Sequence, residues 1–187
     1  RSTQGYSSAA SDVYKRQIPD DKTILKDGDI VTVDLCAYKN GFHGDAARTF
    51  LIGNVSEEKR LLVERTKECF FKGIENLHAG TPLYDIGYRV QKYAESFGYG
   101  VIRSYTGHGI GREMHEDPAV PNYGRLGTGP RLKANTVICI EPMISMGNYR
   151  VRILDDDWGA VTIDGSPAAH YENTVAVRED GVEILTL

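Results

Sequence analysis

An α+β fold is predicted for this chain from three observations: a hairpin signal near its start, two amphipathic helical stretches directly after it, and a run of short strand-like segments to the end. The hairpin occupies Asp29 to Phe50, DIVTVDLCAYKNGFHGDAARTF. Val31, Val33 and Leu35 alternate with Thr32 and Asp34, a period of two that predicts a half-buried strand. Asn40-Gly41 is the turn, because both residue types tolerate the positive φ that a two-residue type I′ turn requires. With that turn, Lys39 faces Phe42, Cys36 faces Asp45, and Asp34 faces Ala47. Cross-strand partners share a face with residues two apart on one strand, so Asp34 and Asp45 become diagonal neighbours about 7 Å apart at Cβ. Like charges that close repel unless a cation sits between them.

The two helices follow from capping signals and apolar spacing. Ser56 is a cap, Glu57 and Glu58 suit the first turn, and Leu61, Leu62, Cys69, Phe70, Ile74 and Leu77 supply the apolar stripe up to Gly80. Thr81-Pro82 opens the second helix, with Thr at the cap and Pro at the first helical position. Ile86, Val90, Tyr93, Ala94 and Phe97 form its stripe, and Gly98 ends it. Both stripes are expected to cover a sheet. Tyr99 to Tyr105 and Thr136 to Ile144 are expected as strands, and GHGIGREMHEDP between them as a loop. Short strands are expected within Met146 to Trp158 and Gly159 to Asp164. A closing hairpin is expected from Tyr171 to Val177 and Val182 to Leu187.

Residues 1–17 differ from the rest: polar, rich in Ser and Ala, and without usable periodicity. Asp12 to Gln17, DVYKRQ, back-translates to a string resembling the end of a transposase sequencing adapter. The expected division is therefore a non-native or disordered tail at 1–17 and one catalytic domain at 18–187. The chain has 187 residues, with 41% hydrophobic and 26% charged, within the range of one soluble globular domain. Lys+Arg of 22 against Asp+Glu of 26 leaves no basic footprint for DNA. No apolar run approaches the ~20 residues of a membrane span, so neither DNA nor membrane is an expected partner. Cys36, Cys69 and Cys139 read as reduced interior thiols of a cytoplasmic protein.

Beyond Asp34 and Asp45, three positions invite a chemical reading: His108 between Gly107 and Gly109, Glu141 in IEPM, and Glu172 in HYENTVAV. Carboxylates with one imidazole suit Mn, Fe, Co or Zn in a site with open positions. Four carboxylates also balance two divalent cations in charge. Taken singly, a His in a Gly-rich loop is more often a turn residue, and a Glu on a strand more often faces solvent. Spacing alone therefore leaves a dinuclear metal site as one reading among others. His43, His78 and His170 read as structural or solvent-facing.

VDLCAYKNGFHGDAARTF, GHGIGREMHEDP, IEPM and the Glu172 segment, in that order and with eleven residues from Asp34 to Asp45, resemble the type I methionine aminopeptidases. These belong to the pita-bread metallopeptidase superfamily, whose creatinase/aminopeptidase-like fold is a curved, mostly antiparallel sheet covered by helices. The resemblance runs from Ile18 to Leu187. It implies two divalent metal ions (Co, Mn, Fe or Zn), with Asp34 chelating one and Asp45 and Glu172 bridging both. His108 and Glu141 would complete the shell of the second. Glu141 would also move a proton from water to the leaving nitrogen, and His115, seven residues after His108, would contact the scissile peptide. Trp158 matches a tryptophan near the methionine side-chain pocket, and Met114 occupies a position there that is often aromatic. The implied substrates are N-terminal Met peptides and nascent chains, with the ribosome a further candidate partner and a monomer the expected state. KRQIPDD stands where the family has a motif like CHGIPDD, so Arg16 replaces a substrate-contacting histidine. An incomplete first half of the fold and impaired activity are expected. The competing readings are a proline-specific peptidase or a non-catalytic peptide- or nucleic-acid-binding protein on the same fold; loss of metal ligands would mark the last.

Overall fold

The hairpin forms at the register its turn dictates. In the computed structural model, which describes residues 5–10, 14–16, 24–155 and 159–186, Asn40 and Gly41 take φ of 53° and 86°. They join β3 (Ile30–Lys39) to β4 (Phe42–Leu51), with Lys39 opposite Phe42, Cys36 opposite Asp45 and Asp34 opposite Ala47. The other strands before the helices are β1 (Gly5–Ala10) and β2 (Tyr14–Arg16). After helices α1 (Glu57–Ile74) and α2 (Tyr84–Glu95) come β5 (Gly100–Val101), β6 (Gly107–Gly109), β7 (Glu116–Val120) and β8 (Val137–Ile140). Next are β9 (Met143–Ser145), β10 (Val151–Ile153), β11 (Ala160–Thr162), β12 (Ala168–His170), β13 (Glu172–Val177) and β14 (Val182–Ile184).

The main sheet runs β1-β3-β4-β13-β8-β6-β7, with β14 also on β13; β10-β11-β2 and β12-β9-β5 form two smaller sheets. Every strand ladder among the described residues is antiparallel. This is the α+β architecture expected. One face of the main sheet carries the core. Ile138 and Ile140 of β8 and Val175 and Val177 of β13 pack on Phe70 of α1 and Ile86 of α2. A second cluster joins Leu62 and Cys69 of α1 to Val90 and Ala94 of α2 and to Ile30, Ile144 and Ala169. Alternation along β8 and β13 then sends Cys139, Glu172 and Thr174 to the opposite face.

Several local expectations are corrected. The first helix ends at Ile74, not Gly80, because the chain turns through a left-handed Asn76 (φ 57°) while Leu77 still reaches the core. Ser56 does cap that helix, accepting from Lys59 N at 3.4 Å. Thr81 does not cap the second: its hydroxyl accepts from His78 N at 3.2 Å, and α2 starts at Tyr84. The expected loop GHGIGREMHEDP contains β6 and the start of β7. The expected strand at 136–144 splits into β8 and β9 at Glu141-Pro142, where proline has no N–H for a ladder. Leu35, expected on a half-buried strand, is 42% exposed. Backbone of the expected tail pairs at Gly5–Ala10 with β3 and at Tyr14–Arg16 with β11. Backbone ladders accept almost any sequence, so this pairing leaves the origin of the tail, and the division at residue 17, as proposals.

Gly41→Ala should lower the unfolding free energy by about 1–2 kcal/mol, the cost of an L-residue in the left-handed region. Urea denaturation followed by circular dichroism checks this. Lys39→Ala, beside it on the exposed strand end, should change stability by less than about 0.5 kcal/mol.

Candidate metal centre

Strand register builds the centre. Asp34 on β3 stands opposite Ala47 on β4, and Ala47 stands opposite Glu172 on β13, so the three form one row across one face. Asp45 lies two residues along β4, on that same face. On β13 the next residue of the face is Thr174, opposite Cys139 of β8. Glu141 follows Cys139 by two residues, at the point where β8 stops. Gly109 of β6 pairs with Ile138, which brings His108 level with Cys139. The glycines flanking His108 are steric requirements. A Cβ on Gly107 would lie 2.2 Å from Cys139 O, and one on Gly109 would lie 2.2 Å from Asp117 O. Only bare backbone lets β6 sit this close to both neighbours.

The backbone around the carboxylates is tied down. Asp45 N donates to Thr174 Oγ1 at 2.8 Å, and Asp45 O accepts from the hydroxyls of Thr174 (2.9 Å) and Thr186 (3.0 Å). Arg48 donates to the carbonyls of Ala47 and Glu172 and to Asn173 Oδ1, stitching β4 to β13. His108 Nδ1 contacts Gly109 O at 2.8 Å. A carbonyl only accepts, so the neutral ring carries its proton on Nδ1 and presents a lone pair at Nε2. That lone pair faces Glu141 Oε1 at 3.7 Å.

Three carboxylates are buried here: Asp45 at 7%, Glu141 at 8% and Glu172 at 2% exposure. Burial raises the Asp45 pKa above its ordinary value, against the opposing pull of His108, the Ala46 N–H, His115 and His43. Glu172 is raised well above its ordinary value, first by burial and then by the charges of Glu141, Asp45 and Asp34. Its Oε1 has no hydrogen-bond partner among the described residues. The thiols nearby stay protonated in the metal-free protein. Cys36 is pushed up to about 11 by burial and Asp45, and Cys139 is raised by burial and Glu172.

This donor set fits divalent cations. Ligand atoms of Asp45, His108, Cys139 and Glu172 lie within 4.8 Å of one another, as do those of Glu141, His170 and Glu172. A lone pair aimed at a carboxylate, and a buried carboxylate oxygen with no donor, are unfavourable arrangements that a shared cation would relieve.

Asp34, Asp45, His108, Glu141 and Glu172 are thus brought to one face. His115 stands beside them, its ring 4.3 Å from that of His108, and is exposed to solvent. Met114 is 38% exposed on the same segment between β6 and β7. Trp158 lies outside the described residues. Sequence pattern misses His170. It is buried, with Nε2 3.6 Å from Glu141 Oε2 and 3.9 Å from Glu172 Oε2. The available signal was the period of two in HYE, which puts His170 on the side of Glu172.

In the metal-free protein, the raised carboxylates give a definite pH dependence. Their protonated forms stabilise the folded state, a contribution fully present below the ordinary carboxylate range near pH ~4 and lost as pH rises through the raised values. Scanning fluorimetry in chelator should show Asp45 and Glu172 lowering the melting midpoint as pH rises above the ordinary carboxylate range. Glu172→Gln should remove much of that fall, by about 2–4 °C per kcal/mol. An unchanged profile would remove the charge-burial account.

Comparison with known proteins bears on this geometry. The family model described as metallopeptidase family M24 matches residues 5–179. The methionine aminopeptidase of Clostridium acetobutylicum is 58% identical over 170 residues, covering 91% of this chain and 68% of that protein. Methionine aminopeptidase 1 of Bacillus subtilis is 45% identical over 163 residues, covering 87% of this chain and 66% of its own. The chain therefore spans about two thirds of the length of these curated relatives. The crystal structure of methionine aminopeptidase from Rickettsia prowazekii superposes with a TM-score of 0.94 at 43% identity, covering 97% of this chain and 73% of that one. A prolidase from Pyrococcus horikoshii shares the fold, with a TM-score of 0.77 at 24% identity over 97% of this chain and 47% of its own.

Proposed function

Because this chain belongs to metallopeptidase family M24, and within it to the methionine aminopeptidases, we propose that it removes N-terminal methionine from peptides and nascent proteins by hydrolysing the first peptide bond. The observation that carries this reading is the convergence of Asp45, His108, Glu141 and Glu172 on one face, with Asp34 in the same cross-strand row as Glu172. Asp34 would hold one divalent ion, Asp45 and Glu172 would bridge a pair, and His108 and Glu141 would complete the shell of the second ion. Such a pair, when bound, supplies Lewis acidity and a water acidic enough to react near neutral pH. Which of Co, Mn, Fe or Zn is native is not encoded by oxygen and nitrogen donors alone.

The residues then divide the remaining work. Glu141, buried beside His108, would take the proton of the attacking water and return it to the leaving nitrogen. His115, exposed beside His108, would donate to the substrate amide as charge develops there. Met114 and Trp158 would border the pocket for the methionine side chain. Arg16 stands where the family carries a histidine that contacts substrate, so turnover by this chain is expected to be slow. The family origin supports nascent chains as substrates, with the ribosome as a docking partner, a monomer as the working state and the cytoplasm as the location. No helix among the described residues is long and apolar enough to cross a membrane.

The test is methionine release from Met-Ala-Ser by the metal-loaded protein, read by mass spectrometry. Release should be detectable in wild type and lost in Asp45→Ala, which removes one bridge and leaves three acids mutually repelling. Calorimetry on Asp45→Ala should show that the paired-ion isotherm is gone. Two ions bound at unchanged affinity would overturn the ligand assignment. Faster release of Xaa from Xaa-Pro peptides would favour the proline-specific reading. A wild-type protein without divalent metal after gentle purification, and unable to take it up, would favour a binding protein.

A further inference from the structure

We propose that His170 is a positioning residue of this centre: its imidazole holds one oxygen of Glu141, so that the other is left to face His108. The inference rests on the metal-centre reading above and adds a residue to it.

The chain delivers His170 to this place by strand alternation. It ends β12, and Glu172 begins β13 two residues later. Tyr171 between them turns the other way, its ring 5.5 Å from that of Phe70 and 4.2 Å below the Arg48 guanidinium. Both backbone polar groups of His170 are held by one side chain. His170 N donates to Thr49 Oγ1 at 3.0 Å, and Thr49 Oγ1 donates to His170 O at 2.9 Å. Thr49 spends its only proton there, so in the 2.8 Å contact between Thr32 and Thr49 it is Thr32 that donates. The Cα of His170 is therefore fixed to the hairpin that carries Asp34 and Asp45.

The imidazole itself is nearly sealed from solvent, at 7% exposure, and Glu141 lies between two such rings. Oε1 of Glu141 is 3.7 Å from His108 Nε2, and Oε2 is 3.6 Å from His170 Nε2. The two histidines need opposite tautomers toward the same carboxylate. His108 presents a lone pair, fixed by its Nδ1 contact with Gly109 O. A second lone pair at His170 would leave both Glu141 oxygens facing acceptors, so His170 carries its proton at Nε2. At 3.6 Å that N–H is not yet a hydrogen bond, and a closer approach of under about 1 Å makes it one. Carboxylates that ligate a metal through one oxygen are commonly held by a donor on the other, and loss of such a donor typically costs about 10–100-fold in metal affinity.

The test uses Mn(II) calorimetry and the visible spectrum of the Co(II) form. His170→Phe keeps a ring but no donor, and should weaken one of the two binding steps by about 10–100-fold. His170→Gln places an amide N–H at similar reach and should restore affinity to within about threefold of wild type, with wild-type Co(II) bands. Should His170→Phe fail to fold, as read by circular dichroism in chelator, His170→Leu carries the same comparison. Wild-type affinity in the Phe or Leu variant overturns the inference. So does a Co(II) spectrum of His170→Gln changed as by loss of a nitrogen ligand, since His170 would then bind the ion directly. A wild-type protein that takes up no divalent ion removes the metal reading itself, and is thereby distinguished from failure of the His170 role alone.

Discussion

Three buried carboxylates, with Glu172 within 4.8 Å of both Asp45 and Glu141, dominate this structure. Removing a carboxylate from water is expensive, and removing several beside each other is more so. Asp45, Glu141 and Glu172 meet that cost with few donors among the described residues, and Glu172 Oε1 meets it with none. A chain selected only for stability would replace them with apolar residues. Their persistence requires a scaffold that holds them without cations and a charge that neutralises them when it arrives. The scaffold is the other face of the same strands, where Ile138, Ile140, Val175 and Val177 pack on the helices. β13 is therefore a single ribbon with an apolar side and a side that carries Glu172, and β8 beside it turns Cys139 to the site and ends just before Glu141.

Antiparallel pairing is what makes the convergence exact enough to be chemical. Residues far apart in sequence become rung partners: Glu172 meets Ala47, and Thr174 meets Cys139. Small residues sit where the rungs would otherwise crowd. Ala47 is wholly buried between Asp34 and Glu172, and Gly107 and Gly109 admit β6 against its neighbours. The hydroxyls of Thr174 and Thr186 hold Asp45 by its backbone and leave its carboxylate to the site. Backbone restraint and side-chain freedom are thus assigned to different atoms of the same residue.

The hairpin was legible in the sequence because its register depends only on local terms, a turn that accepts positive φ and a period of two. The α+β class and the two helices were legible for similar reasons. Helix ends were not: the chain leaves α1 ahead of a left-handed Asn76, before Gly80, and Thr81 accepts from His78 N instead of capping α2. Strands β6 and β9, of three residues each, offer too little periodicity to be distinguished from loop. Within the site, only Asp34 and Asp45 could be paired from spacing. Glu172 joins them through a ladder to residues about 125 positions earlier, as the Arg48–Asn173 bond illustrates. No local rule supplies that register; the family resemblance did. His170 escaped both routes, because its importance lies in which oxygen of Glu141 it faces.

Three of the imidazoles near the centre, those of His108, His115 and His170, differ in access to water. His170 is sealed, His108 is nearly so, and His115 is open. A sealed imidazole keeps one tautomer, because exchange of its proton requires water to enter, and so it can orient a neighbour. An imidazole whose Nδ1 is committed to a carbonyl offers a fixed lone pair, which suits a cation. An open imidazole is free to meet an incoming peptide and to be desolvated by it. In the proposed enzyme this gradient would set the direction of approach. Substrate would arrive from the side of exposed His115 and Met114 and reach the buried acids last.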